Sequence, residues 1–532
     1  MRRPHRGTIE RIKVLLISLG RDLPPSARRI IRSLVSTPAQ ARVRGLPAET
    51  VTSFDAWRNQ DELASRVVAV LRSSGIDVVR LSRSGKEWLA VDLRQRRAAI
   101  LALQETEAAD WILRERRHKP VRLGDADAAA VGREFALFRH LRAPSGQYLA
   151  GPELVVNVQF WRATRTKTTR PDGGHLELGT RLPPSRNQVA PYLVPGQWDQ
   201  ARAHPQARPP AQRLANLLEV TEPIDAVYTW VDGSDPAWQA ERAAHWPEPD
   251  GLAADALDPA RARDREELRY SLRSLNMYAN WIRKVWIVTS GQVPPWLAAD
   301  NPRLQVISQA EIFADPSLLP VFNSNAIESQ LHHIPGLAEH FLYLNDDFFF
   351  GRPVRPELFF HGNGMPKLMT SLTAIDLDLA TEARNGAVLA ARRGQEWLEA
   401  QFGRTVSHRI RHVPHAHRRS ALAAFESAAA EEFTRLAGSK FRHRDDLSVP
   451  SELGHYYGYA TQNAVTGSLE YRYISLDSPL AREHLAALLT SRFADCFCVN
   501  DVGGETPVPD NELIEFFEAY FPVPSEFEGG RS

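Results

Sequence analysis

The sequence predicts an α/β protein built on a mostly parallel sheet with flanking helices and a helical insertion, preceded by a smaller α/β unit. Three observations predict it. Between Ile224 and Phe350, β-forming runs alternate with helical ones, the pattern of parallel strands joined by helices. Three apolar segments end in Asn or Asp, where α/β sheets present groups to ligands. A separately patterned stretch, residues 50–181, stands before a proline-rich passage at 182–213. With 532 residues, 43% of them apolar and 24% charged, the chain has ordinary globular composition and length for about two to four domains.

Residues 1–49 form a basic arm, "MRRPHRGTIERIKVLLISLGRDL" at its start. Its apolar stretch "VLLISL" is too short for a secretory leader, and no run approaches the about 18 apolar residues of a membrane span. The arm is either a packed or solvated extension or a weak contact for an anionic membrane surface. The expected location is the cytoplasm, with the inner membrane face within such an arm's reach. A net charge of +1 gives no global attraction to nucleic acid. Cys496 and Cys498 are the only cysteines, which excludes a disulfide framework and suggests reduced, buried thiols.

In the small unit, "DELASRVVAVLRSSG" has helical spacing and stops at Gly75. "IDVVRLS", "EWLAVDL", "DWILRER", "ELVVNVQFWRAT" and "HLELGTRL" read as strands, the last two flanking the turn "RPDGGH". "RRAAILALQE" reads as a second helix. The prolines of 182–213 argue against regular structure there, so it reads as a linker or a strap across a domain surface. In the region from 214 to 532, "IDAVYTWV", "RKVWIVTSG", "RLQVISQAEIF" and "HFLYLNDDFFFG" are the strands. "DREELRYSLRSLNMYANWI", "NSNAIESQLHHIPGL" with Asn323 or Ser324 as cap, and "RRSALAAFESAAAEEFTRLAG" are the helices.

The chemistry concentrates in "FLYLNDDFFFG". Successive strand residues face opposite ways, so Asp346 and Asp347 can serve one ligand only if the strand ends near Leu344 or Asn345. Two adjacent carboxylates repel unless a cation lies between them or one is protonated. A hard divalent ion with oxygen ligands resolves the conflict, and a solvated Asx turn is the plainer reading. "CFCVND", ending in Asn500 and Asp501, and "TWVDGSD", with Asp232 and Asp235, repeat the pattern. "RHVPHAHRR" offers His412 and His415, on a loop or helix start, as proton acceptors. Arg269 and Arg273 lie four apart on one helix face, and Arg442 stands in "FRHRDD"; each suits a phosphoryl clamp or an ordinary salt bridge. No "GxxxxGK" or GxGxxG motif precedes a helix, so ATP or NAD binding of those kinds is unsupported.

These blocks, in order from about 222 to 505, resemble the Stealth family of sugar-1-phosphate transferases. "IDAVYTWVDGSDPAW" is similar to its first conserved region, the stretch from "RDREELRYSL" to "LNDDFFFG" to its second, "HVPH" to its third and "CFCVND" to its fourth. The resemblance implies a GT-A-like fold that moves a hexose-1-phosphate from a UDP-sugar to a glycan hydroxyl, with UMP released and Mg²⁺ or Mn²⁺ as cofactor. It implies functional roles for Glu328, Asp347, His412 or His415, Arg442 and Asp501. The expected metal station is Asp346, Asp347, Asn500 and Asp501. Asp232, Asp235, Arg269, Arg273 and Asn323 are the expected substrate-binding set. Val499 stands before Asn500 where many members have a different residue. A metal-dependent glycosyltransferase releasing UDP, a non-catalytic interaction protein and a homo-oligomer all remain open readings.

Overall fold

The computed structural model describes residues 43–529 apart from 84, 117, 167, 170–173, 205–206, 210–211, 247–250, 259–262, 299, 376–385 and 502–506. Most of the basic arm and most of the "RPDGGH" turn lie outside the described residues.

The small unit follows its sequence pattern. Helix Ala56–Ser73 starts where the Asp55 carboxylate accepts from the Trp57 and Arg58 amides, and it buries Leu63, Val67 and Leu71, four residues apart. It packs on a mixed sheet ordered Val78–Arg83, Lys86–Asp92, Val156–Ala163, Glu134–Phe138, Ile112–Arg114, Val121–Arg122, with Arg181–Leu182 also on Val156–Ala163. The proline-rich passage is a strap, and it contains regular structure against expectation. Helix Pro195–Ala203 takes its proline at the first position, where no amide hydrogen is needed, and buries Trp198.

This unit is fused to the rest. Phe54, Leu149 and Leu154 belong to the same core as Leu268, Leu272 and Phe350. The Trp57 indole donates to the Tyr278 and Val354 carbonyls at 3.2 and 3.0 Å. Arg355 lies 3.8 Å from the centre of the Trp57 ring. Gly85, at φ +75°, makes room for that guanidinium: a Cβ there would sit 1.5 Å from Arg355 Nε.

The larger region holds strands β1 (Ile224–Thr229), β2 (Val285–Thr289), β3 (Leu304–Ser308), β4 (His340–Asn345), β5 (Phe348–Phe350), β6 (His415–Arg418), β7 (Tyr471–Ser475) and β8 (Cys496–Asn500). The main sheet runs β3-β2-β1-β4-β6; the first four are parallel and β6 is antiparallel to β4. Alternate residues of β1 serve two cores. Ala226 and Tyr228 face one, and Val227 faces the other with Phe341 and Tyr343, so both sheet faces are covered. A smaller sheet runs β5-β8-β7, with β5 antiparallel to β8.

Three expectations need correction. His415 lies in an edge strand, not on a loop or helix start, because the extended backbone around Pro414 pairs with β4. The helix expected over 323–337 is Ser324–Ser329 followed by a single tight turn, Leu331–His333. The helix over 418–438 breaks at Ala429 into Arg419–Ala428 and Ala430–Ala437, and Phe425 then meets Phe433 edge to face at 5.2 Å.

Candidate active site

From β1 the chain steps to β2 and β3 on one side, and β4 then returns to the other side of β1. The carboxyl ends of β1 and β4 therefore flank a reversal in strand order, where open α/β sheets form a crevice. Thr229 and Asn345 are paired at that edge. β4 ends at Asn345, Asp346 and Asp347 make the turn, and Phe348 enters the other sheet. Burial of Phe348, Phe349 and Phe350 anchors the turn from behind, at roughly 1.5–3 kcal/mol for each ring.

Antiparallel pairing of β5 with β8 sets Phe348 opposite Cys498, which brings Asp347 to the end of β8. The Val499 amide donates to the Asp347 carbonyl at 3.2 Å. The Asn500 amide and the Cys498 thiol donate to Asp347 Oδ2 at 3.0 and 3.1 Å. Asp347 Oδ1 is buried and accepts no hydrogen bond, with His412 Nε2 3.8 Å away.

A cavity of about 510 Å³ opens here, lined by Asp346, Asp347, His412, Arg442, Asn500 and Asp501, and by Arg263, Arg265, Glu267, Arg409, Arg411 and Tyr473. A second chamber of about 190 Å³ adjoins it, with Trp230, Trp238, Phe322, Arg242 and Glu328. The two share Asp258, Asn345, Asp346 and Arg442. Arg442 reaches Ser324 Oγ at 2.7 Å and Asp255 at 3.4 Å.

The electrostatics are lopsided. Burial, then the charges of Glu267, Asp347 and Asp264, push the Asp346 carboxyl well above its ordinary range. Burial pushes Glu267 up to about 7. Burial also presses on Asp347, but His412, Asn500 and Cys498 outweigh it and hold its carboxyl below the usual value. Glu328 is buried, accepts from Ser451 Oγ at 3.1 Å, and is raised by burial with Arg442 opposing.

The structure gathers Asp346, Asp347, Asn500, Asp501, His412 and Arg442 at one cavity, with Glu328 in the adjoining chamber. His415 is not at the cavity surface. It is 2% exposed, stacks on Tyr343, and shares a hydrogen bond of 2.9 Å with His455; burial drives it well below the ordinary histidine value. Arg269 and Arg273 are also elsewhere. Their Nε atoms hold the two oxygens of Glu528 at 2.7 and 2.8 Å. Asp232 closes its own turn by accepting from Ser234, and Asp235 caps helix Pro236–Ala244. Asn323 caps Ser324–Ser329 and donates to Asp446 at 2.7 Å.

Sequence reasoning missed Arg265, whose Nη2 holds Asp501 Oδ2 at 2.5 Å and whose Nε meets Asp510 at 2.8 Å. It also missed Glu267. The available signal was "RDREE" beside an expected helix: Glu266 adopts φ +65° and the helix begins only at Glu267, which leaves Asp264 and Arg265 on the turn.

Stealth protein CR1, conserved region 1, matches residues 222–244; conserved region 2 matches 261–368 and conserved region 3 matches 411–459. Exopolysaccharide phosphotransferase SCO6021 of Streptomyces coelicolor is 37% identical over 77% of this chain and 77% of its own length. The chain belongs to the Stealth family. Exopolysaccharide phosphotransferase CpsY of Mycobacterium leprae is 36% identical over 83% of this chain and 81% of its own length. Exopolysaccharide phosphotransferase SCO2592 of Streptomyces coelicolor is 38% identical over 96% of this chain, which spans 56% of that relative's length. The crystal structure of the galactosyltransferase LgtC covers 56% of this chain at 11% identity with a TM-score of 0.29, a likeness too slight to carry weight. No described helix of this Stealth protein is long and apolar enough to cross a membrane.

Proposed function

We propose that this Stealth protein is a metal-dependent sugar-1-phosphate transferase, moving a hexose-1-phosphate from a UDP-sugar to a glycan hydroxyl in extracellular or capsular polysaccharide synthesis. Its relatives' names support the reaction class. The observation that carries it is the unsatisfied Asp347 Oδ1 in a polar cavity that Asp346, Glu267 and Asp501 also line, at the strand-order reversal.

That arrangement fits a hard cation. Asp346, Asp347, Asn500 and Asp501 all line this cavity and would hold Mg²⁺ or Mn²⁺ through their oxygens, with Asp501 also held by Arg265. When bound, the ion neutralises the donor's diphosphate and the departing UMP.

Of the two candidate histidines, the proton-accepting role falls to His412. Its side chain is 32% exposed at the cavity, and Asp347 lies behind its Nε2. As the acceptor oxygen attacks the β-phosphorus, His412 takes the hydroxyl proton. The bond from the β-phosphorus to the bridging oxygen breaks, and UMP leaves with that oxygen. Arg442 stands between the two chambers and steadies the phosphoryl oxygens, with Glu328 and Ser324 fixing its direction. The aromatic second chamber receives the donor's base.

Incubation with UDP-sugars, Mn²⁺ and oligosaccharide acceptors, followed by mass analysis of the nucleotide, tests the reading. UMP is expected. UDP would identify a glycosyltransferase attacking the anomeric carbon. No nucleotide released and no metal bound would identify a non-catalytic interaction protein.

A further inference from the structure

We infer that His332, His333 and Glu426 form a second metal site, outside both chambers, that takes a zinc-type divalent cation through two imidazole nitrogens and one carboxylate. His332 and His333 close the turn after helix Ser324–Ser329, and Glu426 lies on helix Arg419–Ala428. Both Nε2 atoms aim at the same oxygen, Glu426 Oε2, at 2.8 and 2.9 Å. The three donor atoms lie within 4.8 Å of one another, and none of the residues lines either chamber.

The hydrogen-bond geometry of His333 leaves its Nε2 available to a cation. Its Nδ1 lies 3.1 Å from the Ile312 carbonyl, which only accepts, so Nδ1 carries a hydrogen. Its Nε2 lies 2.9 Å from Glu426 Oε2. With Nδ1 already protonated, Nε2 meets the oxygen through a positive centre, which is either a second ring proton or a metal cation in that proton's place. Metal-bound histidines donate the ring N–H that faces away from the metal to a carbonyl or carboxylate, and Nδ1–H on the Ile312 carbonyl leaves His333 Nε2 turned to the ligand side beside Glu426. His332 Nδ1 has no partner, and that holds with or without a cation, so it does not decide the question. The imidazole rings lie 4.1 Å apart between centroids, both converging on one oxygen.

The donor set chooses the ion. Two imidazoles and a carboxylate suit zinc, whereas the Asp346, Asp347, Asn500 and Asp501 oxygens at the cavity suit Mg²⁺ or Mn²⁺. His333 and Glu426 are 28% and 31% exposed, so solvent reaches the site and water completes the coordination. The ion acts as a brace. It ties the segment that carries Ser324 and Glu328 into the second chamber to a helix nearly a hundred residues further along the chain.

The test uses the tag-free full chain. Zinc content is measured by mass spectrometry and by competition with a chromogenic chelator, in wild type, Asp347→Asn, His333→Gln and Glu426→Gln. Thermal unfolding is followed with and without zinc. Wild type and Asp347→Asn are expected to hold one equivalent and to melt higher with zinc. His333→Gln and Glu426→Gln are expected to lose both the equivalent and the shift. If either variant folds poorly, the visible spectrum of cobalt-loaded wild type decides, with four-coordinate bands expected. The inference is overturned by wild type that binds no zinc, by undiminished zinc in both ligand variants, by loss in Asp347→Asn alone, or by six-coordinate cobalt.

Discussion

Two clusters of carboxylates and arginines meet helix Glu267–Tyr278, one at its first residue and one at Arg269 and Arg273, and they differ in how completely they satisfy themselves. At the Glu528 clamp, one carboxylate oxygen takes Arg273 Nε and the Ser525 amide, and the other takes Arg269 Nε and Arg273 Nη2. Arg273 and Glu528 are buried, and no Glu528 oxygen is left over. At the cavity, Asp264, Glu267, Asp346 and Asp347 crowd together, and Asp347 Oδ1 accepts nothing. A cluster that serves only the fold closes its hydrogen bonds on itself. A cluster with unpaired capacity and repelling neighbours is built for something that arrives.

The largest effect that would sharpen this contrast is Asp347→Asn. Transfer should fall by about 10²-fold or more, with the fold retained at a modest loss of thermal stability, because the folded state favours the Asp347 carboxylate through His412, Asn500 and Cys498. Wild-type turnover in that variant would erase the distinction. His412→Gln should lower kcat by about 10²–10⁴-fold, with donor KM little changed, as steady-state kinetics would read. The clamp should answer in the other currency: Glu528→Gln should cost about 3–5 kcal/mol of stability in denaturant titration and leave kcat of the folded fraction alone. A kinetic defect there would break the comparison.

The smallest effect concerns the neutral histidines behind the cavity. Burial holds His417 down at about 4, and His415 and His455 lie well below the ordinary value. A depressed histidine means that the unfolded chain binds more protons, so stability is full above pH about 6.5 and is lost as pH falls towards 4. His417 alone should contribute on the order of 3 kcal/mol to that loss, at about 1.4 kcal/mol per pKa unit. Urea midpoints at pH 7 and pH 4.5 measure it.

The sequence patterns carried the sheet and the acidic turn because both are local: β1, β2 and β4 announce themselves by β-formers, and the turn by adjacent Asp residues. Partner choice was illegible. Arg269 and Arg273, four apart on a helix, look the same whether a phosphate or Glu528 faces them, and Glu528 is 255 residues from Arg273. His415 and His412 look alike in "HVPH", yet edge pairing with β4 buries one and leaves the other at the surface. The separate identity of β5 depends on β8, which no short window contains.

That last pairing has a consequence for the nascent chain. Asp347 and Cys498 are separated by 151 residues, and synthesis runs from the former to the latter. Until Cys496–Asn500 has left the ribosome, Phe348–Phe350 has no neighbour along its exposed edge and the acidic turn has no opposite wall. A ribosome stalled anywhere in that interval releases a polypeptide in which all four parallel strands of the main sheet are synthesised but the acidic turn lacks the strand that donates to Asp347.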